Sequence, residues 1–560
     1  MFRRIGWQVV LVGIGFLVAA SILAYMATTY TTEFRPAPGG TYIESVGGYP
    51  QSLNPLLSFY NDADTDVVSL VFAGLTRLNM QAEVEPDLAV GWEIEDGITY
   101  TFRLRRNVVW HDGYPFTARD VVFTTELLQD PDYPGPPDIG ELWRTVEVTE
   151  MDDYVVQFAL EEPYAPFLDY TSIGVLPAHL LEGVNAAALP QLDFNREPIG
   201  TGPFRLVELE LGEGHIEAVT LKRFPRYYGR SGYLENLVLR FYPTSQAAFE
   251  AYQDGVVEGV ARIPVQILPE AFAETDLRLF SAPTAEMAML YLNQFVTETL
   301  PFGDSQVRQA LYYGLDRQKL VDDVLLGQAV LPATPLVPGS WAYTTEGVPA
   351  YEYNPERAQE LLALAGWRRD VVTDTLKDAR GNVLAFSLSV SNDPVDLAVA
   401  TGIAEQWHQL GISVTVEAVP PLALSAVLDS RGYEAAFARL LMPGDPDPYP
   451  FWHETQALPG QGQNYAGFQH RRMSEIVEQA RITVQRDERR ALYREFQQLF
   501  MEELPALPLY VPVYTYAMDS RVNGGQIGPI MSSGDRFLTV PDWYVLQRRV
   551  VASQLQSDTE

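Results

Sequence analysis

Carboxylates are the commonest side chains in this chain that could do chemistry. Asp and Glu number 73 against 39 Lys and Arg. Almost any pair could therefore be proposed as a general acid and base, and each such proposal is weak. The segment 444–448, Gly-Asp-Pro-Asp-Pro, differs because its prolines restrict the backbone around two charges. We take Asp445 as a candidate ligand-binding residue, while the alternative of a rigid acidic surface loop stays open.

Histidine and cysteine give no metal or catalytic signature. The six histidines are His111, His179, His215, His408, His453 and His470. None lies within four residues of another, so the spacing of a His-Glu-x-x-His zinc motif does not occur. Cysteine is absent, which excludes disulfides, thiolate metal sites and cysteine catalysis. We predict no metal site and no cofactor.

Two short segments resemble enzyme motifs only superficially. The segment 303–305, Gly-Asp-Ser, is similar to a lipase serine motif, but Ser305 falls in a predicted first helical turn with no histidine nearby. The segment 200–202, Gly-Thr-Gly, is similar to a phosphate-binding loop, but no Lys-Ser/Thr pair follows it. We predict that the protein is not an enzyme.

Aromatic residues make up 12% of the chain, and tyrosine alone numbers 30. Trp341 and Tyr343 follow a Leu-Val-Pro segment at 336–338, and Trp452 comes shortly after the acidic segment 444–448. Such rings could form broad, chemically tolerant walls for side chains or sugar faces. For each ring, packing in the core is an equally good alternative.

The stretch Glu85–Leu128 predicts the elements that would position such residues. Thr99–Leu104 alternates polar and apolar side chains, as a half-buried strand does. Gly113 ends a His-Asp-Gly turn and is free to take a positive φ. Thr117 and Asp120 then predict a capping box at the start of a helix.

Helix-capping residues and the order of strand-like and helix-like segments predict further helices and strands. Asp304 would cap one helix, and Asn354 followed by Pro355 would start another. A strand at 384–391, a helix at 395–410 and a strand at 412–416 predict a parallel pair with a right-handed crossover.

Length and charge limit the class of protein. A chain of 560 residues is long enough for about three or four domains, each with its own core. The net charge of −34 disfavours nucleic acid, since no basic run could follow a phosphate backbone, and it disfavours docking on anionic lipid. The charge suits a receptor for neutral or cationic solutes, although solubility or a saline habitat would explain it as well.

The N-terminus predicts a membrane anchor. Arg3 and Arg4 precede Ile5–Ala27, which is apolar or small except for Gln8 and Ser21. A helix of this length can cross a hydrocarbon core of about 30 Å. The arginines favour a cytoplasmic start, so the rest of the chain would lie outside. A cleaved signal peptide is the alternative, but the end of the segment offers no clean cleavage site.

Many of these residues recur together in one family. In the stretch 85–128 they are Pro86, Leu88, Ala89, Trp92, Tyr100, Thr101, Phe102, Leu104, Arg105, His111, Asp112, Gly113, Ala118, Arg119, Asp120 and Val121. Further matches lie at 199–204, 291–293 and 353–356. With them, the chain from about Gly40 to about Tyr514 resembles the family 5 solute-binding proteins, the extracytoplasmic peptide, dipeptide and nickel receptors of ABC importers.

The resemblance implies an α/β fold that is bilobal and periplasmic-binding-protein-like, of type II with three domains, here with an N-terminal transmembrane helix. The lobes would close by a hinge when solute binds. The expected parts are an anchor or signal at 1–30, a linker at 31–40, domain I at 41–84, 199–285 and 505–550, domain II at 85–198, domain III at 286–504, and a tail at 551–560.

The resemblance also implies where a ligand would bind. Peptide-binding relatives place an aspartate near the acidic segment, where it meets the ligand's α-ammonium, and Asp445 is expected in this role. Such an ionic hydrogen bond would contribute about 1.5–3 kcal/mol. Counted back from Asp447, however, the family aspartate falls on Gly444, so recognition of a free amine stays open. The other expected ligand-binding residues are Trp341, Tyr343, Gly47, Tyr49, Asn293 and Trp452.

The function implied is capture of oligopeptides outside the cytoplasm and their delivery to ABC permease subunits. The protein would be a monomer in the periplasm or on the outer face of the cytoplasmic membrane, held by its N-terminal helix. Alternatives are a receptor for another solute, such as a sugar oligomer or a metal chelate, and a sensor or chaperone on the same fold. A hydrolase is disfavoured because no nucleophile or carboxylate pair stands out. The sequence leaves open which solute and which permease are used.

Overall fold

The fold is described here from a computed structural model. It describes residues 7, 12–23, 25, 32–295, 300–442 and 444–551. Helices and strands are interspersed along the whole of this length, which confirms the predicted α/β class.

The elements are as follows. The strands are β1 (Thr32–Ala37), β2 (Thr41–Gly47), β3 (Thr76–Leu78), β4 (Val84–Pro86), β5 (Ala89–Glu95), β6 (Thr99–Leu104), β7 (Val146–Asp152), β8 (Val155–Leu160), β9 (Phe204–Gly212), β10 (His215–Arg223), β11 (Asn236–Tyr242), β12 (Gly259–Val260), β13 (Leu277–Pro283), β14 (Glu286–Leu292), β15 (Ala329–Val330), β16 (Arg368–Arg369), β17 (Leu376–Lys377), β18 (Ala385–Ser391), β19 (Ser413–Val419), β20 (Ala435–Leu441), β21 (Ala506–Asp519) and β22 (Leu546–Val551). The helices are α1 (Asp62–Val71), α2 (Ala118–Gln129), α3 (Pro137–Arg144), α4 (Phe167–Tyr170), α5 (Ala178–Leu181), α6 (Ser245–Gln253), α7 (Leu268–Ala273), α8 (Ser305–Tyr313), α9 (Arg317–Asp323), α10 (Pro355–Leu364), α11 (Pro394–Gln409), α12 (Pro421–Asp429), α13 (Tyr449–Trp452), α14 (Arg471–Ile482) and α15 (Arg486–Glu503). Short 3-10 helices lie at Ser58–Tyr60, Ala186–Gln191, Asp193–Asn195, Pro301–Gly303, Glu454–Gln456 and Ser533–Asp542.

One large sheet runs through the molecule, and β21 is its central strand. The strand order is β19-β18-β20-β14-β21-β12-β2-β11-β10-β9, with β13 and β15 also paired to β21. The first half of β21 pairs with β14, and its second half pairs with β12 and β13. We call residues 41–283 with 513–545 the N-terminal lobe, and residues 286–511 the C-terminal lobe. Each lobe has its own large hydrophobic core.

The stretch predicted as strand, turn and capped helix folds in that way. Strand β6 joins an antiparallel sheet of order β5-β6-β8-β7 and buries Tyr100, Phe102 and Leu104. Gly113 has a φ of 98°. Helix α2 begins directly after Thr117, whose N–H donates to the Asp120 carboxylate at 2.9 Å. The prediction succeeds here because all the interactions that carry it are local.

The two motifs at 111–113 and 200–202 contact each other. The His111 Nε2 lies 3.0 Å from the carbonyl oxygen of Gly202, and its Nδ1 accepts the N–H of Gly200 at 3.2 Å. Burial lowers the pKa of His111 to about 4, so the ring is neutral at physiological pH. The His111 side chain therefore joins the segment 111–113 to the segment 200–202 within the N-terminal lobe.

The other predicted elements are confirmed with small shifts of their ends. Asp304 caps α8, and Asn354 caps α10 with Pro355 in its first turn. Strands β18 and β19 pair in parallel and are joined by α11. These elements all belong to the C-terminal lobe.

The chain ends differ from the sequence prediction in part. The predicted linker 31–40 contains β1, which pairs antiparallel with β22. Its proline at position 36 is compatible with an isolated two-stranded ribbon, where a missing N–H costs little. The predicted tail 551–560 lies outside the described residues except for Val551. The predicted division into three domains stays a prediction.

The predicted anchor, Ile5–Ala27, lies partly outside the described residues. Within it, residues 12–23 are helical and exposed. In the ranges that the structure describes, no helix is both long and apolar enough to cross a bilayer.

A buried arginine joins distant parts of the N-terminal lobe. The guanidinium of Arg536 binds the Glu44 carboxylate at 2.7 and 2.9 Å and binds both oxygens of Asp66. The hydroxyls of Tyr42 and Tyr516 donate to the other Glu44 oxygen at 2.9 and 2.6 Å. All five side chains are at most 2% exposed. Strand β2, helix α1, strand β21 and the helix Ser533–Asp542 are thus held at one point.

We predict that Arg536→Met destabilises the protein by about 3–5 kcal/mol, because it leaves two buried carboxylates without their cation. The matched control is Arg230→Met, since Arg230 pairs with Asp542 at the surface and is 60% exposed. The control should change stability by at most about 1 kcal/mol. Urea unfolding followed by tryptophan fluorescence measures both, and equal unfolding midpoints for the two variants would contradict this role of Arg536.

Candidate ligand-binding site between the lobes

A cavity lies where the two lobes meet. The space in it that a water-sized molecule can reach is only about 20 Å³, so the lobes must move apart to admit a larger molecule. Short segments from both lobes line it, namely Ala82, Val337, Pro338, Gly339, Ser340, Trp341, Met442, Gly444, Pro446, Pro529 and Met531. Among the described residues of this lining, Ser340 carries the only hydroxyl, and none carries a charge. The cavity walls therefore suit apolar groups.

Trp341 is the predicted site residue that lines this cavity. Its ring packs edge-to-face on Tyr493 with centroids 5.6 Å apart. The guanidinium groups of Arg486, Arg489 and Arg490 lie 4.9, 5.1 and 5.9 Å from its centroid. These contacts fix the ring, so a ligand would meet a preformed aromatic wall. Tyr343, two residues further on, is half-buried against the core of the C-terminal lobe and is not part of the lining.

Asp445 binds a cation of the chain itself. Both of its carboxylate oxygens accept hydrogen bonds from the guanidinium of Arg489, one of them at 2.6 Å. Arg489 is only 3% exposed, and it also donates to the Ala480 carbonyl at 3.1 Å and the Tyr493 hydroxyl at 2.9 Å. A bidentate pair of this kind is strong and directional. In this structure Arg489 thus occupies the place that sequence analysis gave to a ligand ammonium.

Asp169 reaches the same loop from the opposite lobe, and sequence analysis missed it. Helix α4 carries it, and its carboxylate accepts the backbone N–H of Asp445. Burial and the nearby Asp445 carboxylate raise the pKa of Asp169 to about 7, against the lowering effects of that N–H and of Arg489. The one signal in the sequence is an acidic residue between Leu168 and Tyr170, in an otherwise apolar and aromatic turn.

Gly444 makes this contact between the lobes possible. Its φ is +63°, and a Cβ added to it would overlap the Asp169 carboxylate. The loop 444–446 therefore approaches α4 closely because its first residue has no side chain.

Two further contacts join the lobes beside this loop. The Ala165 N–H donates to the carbonyl of Arg481 at 2.8 Å, and the Arg481 guanidinium lies over the rings of Tyr164 and Tyr449. The same guanidinium binds Asp447 at 2.8 Å.

A salt bridge between Arg486 and Glu83, 2.6 Å long, also crosses from one lobe to the other. Most of the charge at the contact between the lobes is therefore arranged in pairs.

Gly47 and Tyr49 lie at the carboxyl end of β2 and are not in the cavity lining. A Cβ on Gly47 would lie 2.9 Å from the Ser245 backbone nitrogen, so glycine permits the close approach of α6. The ring of Tyr49 packs on that of His215 with centroids 3.8 Å apart and planes tilted by 43°. Both residues thus make contacts within the N-terminal lobe.

Asn293 and Trp452 are buried inside the C-terminal lobe, which differs from their expected place at the ligand. The Asn293 amide donates to the carbonyls of Arg431 and Tyr433 at 2.9 and 2.6 Å. Trp452 is 1% exposed and packs edge-to-face on Phe500, with centroids 4.7 Å apart. Neither side chain reaches the cavity, because core contacts already use their surfaces.

The described ranges offer no evident metal site. No group of three or more His, Asp or Glu side chains there is arranged to hold a metal ion.

We predict that Gly444→Ala separates the lobes, because the new methyl group would displace the Asp169 carboxylate. The matched control is Gly460→Ala, since Gly460 has a similar φ of +70° but open space around its Cβ position. Both variants carry backbone strain of about 1–2 kcal/mol, but only the first should also enlarge the radius of gyration in small-angle X-ray scattering. A radius that is the same for both variants would show that the contact does not depend on Gly444.

The sequence of this chain is similar to those of known proteins. A family model described as bacterial extracellular solute-binding proteins, family 5 middle, matches residues 83–462. The chain is 29% identical over 506 residues to the oligopeptide-binding protein AppA of Bacillus subtilis, which covers 88% of this chain and 90% of that protein. It is 26% identical over 509 residues to the dipeptide-binding protein of Escherichia coli, which covers 86% of this chain and 91% of that protein.

Solved structures are similar over both lobes. AppA from Bacillus subtilis in complex with a nonapeptide has a TM-score of 0.69 and 27% identity, covering 91% of this chain and 100% of that chain. NikZ from Campylobacter jejuni in complex with Ni(L-His) has a TM-score of 0.71 and 27% identity, covering 90% and 99%. Since the family model matches more than half of its length, the chain belongs to the bacterial extracellular solute-binding proteins of family 5.

Proposed function

We propose that this protein is an extracytoplasmic receptor that binds oligopeptides in the cavity between its lobes and delivers them to an ABC permease. The observation that carries the proposal is the likeness to AppA in complex with a nonapeptide, which extends over 91% of this chain and so over both sides of the cavity. A fold by itself does not fix a ligand, so the contacts at the cavity must support the same conclusion.

The cavity walls support a ligand with apolar parts. Val337 and Trp341 offer apolar surface, and the flexible side chains of Met442 and Met531 can adapt to different partners. A site of this composition binds a class of related molecules more readily than one rigid molecule. That property suits a receptor for peptides of varied sequence.

The path of the chain supports capture by closure of the lobes. Strand β21 passes from one lobe to the other beside the turn between β13 and β14, where Thr284 donates to the Pro512 carbonyl at 3.0 and 3.2 Å. A rotation of the lobes about these two connections would widen the cavity between them. The polar contacts at Ala165, Glu83 and Asp169 would then form as the lobes approach.

We assign transport and not catalysis to this site. Of the lining residues that the structure describes, Ser340 alone has a nucleophilic side chain, and no histidine or carboxylate is among them. Activation of a serine requires a base within hydrogen-bond reach.

A metal chelate is the second candidate ligand, since NikZ in complex with Ni(L-His) is similar to this chain at 27% identity.

We predict that the full-length protein binds oligopeptides with a Kd in the micromolar range or below, about −8 kcal/mol or better. Isothermal titration calorimetry and native mass spectrometry with a mixture of di- to nonapeptides measure this. Ni(L-His) serves as the second arm of the experiment. Binding of the chelate without binding of any peptide would replace the proposed ligand, and binding of neither would contradict the peptide proposal.

We predict that Trp341→Ala weakens peptide binding about tenfold or more, because aromatic anchors contribute strongly to buried contacts. Tyr343→Ala is the control from the same loop, since Tyr343 packs against the core outside the lining. It should leave the Kd within about threefold of the wild-type value. If the two variants bind peptide equally well, Trp341 is not part of the ligand site.

A further inference from the structure

Positive charge is concentrated at one end of the N-terminal lobe, next to the two-stranded ribbon of β1 and β22. Three segments form this end together with Arg205 of β9, namely 32–37, 222–230 and 546–551, and we call them the basic end. They contain eight Lys or Arg and one acidic residue, in a chain whose net charge is −34. The basic residues are Arg35, Arg205, Lys222, Arg223, Arg226, Arg230, Arg548 and Arg549.

Contacts join the ribbon and the segment 222–230 into one surface. The N–H of Gly39, just after β1, donates to the carbonyl of Tyr233 at 2.8 Å. The ring of Tyr233 packs edge-to-face on Tyr544, just before β22, with centroids 6.0 Å apart. Arg230 binds Asp542 on the same side. The charges of the basic end therefore act together.

Carboxylates of the protein neutralise only part of this charge. Arg230 has its partner in Asp542, and Lys222 pairs with Glu235 at 3.3 Å. Both pairs are exposed, so they are weak. The remaining six cations of the basic end outnumber its one acidic residue. The surface is therefore positive although the chain as a whole is strongly negative.

The ribbon presents positive charge and apolar surface together. Its register places Arg35 directly opposite Arg548 and Phe34 opposite Arg549, and successive side chains point to opposite faces, so both faces carry arginine. Phe34 is 62% exposed and Leu546 is 46% exposed. The Arg549 guanidinium lies 5.1 Å from the centroid of the Phe34 ring. Basic residues next to exposed apolar and aromatic ones are typical of surfaces that lie among lipid headgroups.

The path of the chain favours a membrane as the partner of this surface. Four residues separate Ala27, the end of the apolar segment that sequence analysis predicts as an anchor, from the start of β1. Since an extended chain spans at most about 3.6 Å per residue, β1 begins within about 18 Å of Ala27. A membrane contact made by the apolar segment would therefore bring the basic end to the same membrane.

The distribution of charge changes what the total charge led us to expect. Sequence analysis disfavoured docking on anionic lipid because the net charge is −34. At physiological ionic strength, however, charges are largely screened beyond about 8 Å. Docking through the basic end would place its cations nearest the headgroups, and each Lys or Arg there would strengthen binding about fivefold.

We propose that the basic end docks on an anionic phospholipid membrane and so orients the protein on its surface. Strands β9 and β10 form one end of the large sheet, and strands of the C-terminal lobe form the other. The C-terminal lobe would therefore stand away from the membrane and keep its freedom to move. This role does not depend on which solute the cavity binds.

The test measures how close the basic end lies to lipid in the full-length protein. Because the chain has no cysteine, Gln547→Cys gives a single labelling site at an exposed position of β22. The labelled protein is reconstituted with vesicles of phosphatidylcholine, either alone or with phosphatidylglycerol, and energy transfer to a headgroup acceptor is measured. Transfer should be about twofold or more higher with the anionic lipid. The increase should disappear in about 1 M NaCl, where the screening length is about 3 Å.

Variants locate the charge that matters. Replacing both Arg548 and Arg549 with Gln should abolish most of the increase, because it removes two cations of the ribbon. The matched control replaces Arg471 and Arg472 with Gln, since these are also adjacent exposed arginines but lie on α14 of the C-terminal lobe. The control changes the net charge equally and should keep the wild-type increase. Arg226→Gln, outside the ribbon, should lower the increase without altering β22.

Equal transfer with neutral and anionic vesicles would overturn the proposal. Equal losses in the two double variants would overturn it as well, because they would show an effect of net charge and not of the basic end. If the variant in the ribbon does not fold, the dependence on salt and the result for Arg226→Gln decide the question. Peptide binding in solution is a separate measurement, so failure of this proposal leaves the proposed function standing.

Discussion

The structure depends on a buried guanidinium. Arg536 and Glu44 lie 492 residues apart in sequence, and Asp66 is nearly as far from Arg536. Their contact forms only when the last part of the chain returns to the first, so the N-terminal lobe is complete only late in synthesis. Tyr516 donates to the same Glu44 and belongs to β21, the strand that continues into the C-terminal lobe. The cluster around Arg536 therefore holds the part of β21 that lies in the N-terminal lobe, and β21 continues from there into the C-terminal lobe.

Charge has a different role at the contact between the lobes. In the N-terminal lobe, the pairs that Arg536 makes with Glu44 and Asp66 are shielded from water and hold distant parts of the fold together. The salt bridge that crosses between the lobes, from Glu83 to Arg486, is partly exposed, since its side chains are 41% and 43% exposed. Pairs of this kind contribute about 1 kcal/mol or less each and exchange easily with water. A receptor that must release its ligand needs a contact of this modest strength.

Sequence analysis predicted local structure well and long-range contacts poorly. The strand Thr99–Leu104, the turn at Gly113 and the helix after Thr117 depend on neighbours a few residues away, and these predictions are confirmed. The pairing of Asp445 with Arg489 spans 44 residues, and its contact with Asp169 spans 276. The periodicity of residue types along a sequence does not reveal which residues so far apart contact each other. Trp341 and Trp452 show the same limit, since one lines the cavity and the other fills the core, although both follow proline-containing loops.

Strand β21 also limits how the lobes can move. Its residues pair with β14 as far as Tyr510 and with β13 from Val513 onward, so Pro512 lies at the passage between them. Proline offers no N–H to the ladder, so Pro512 is bonded there through its carbonyl, which accepts from Thr284. The ladders on either side fix the register, so a movement of the lobes would be a rotation about this passage and not a slide of one lobe along the other. The gap between the lobes would then change in width while its length stays constant, and a molecule would be admitted according to its thickness.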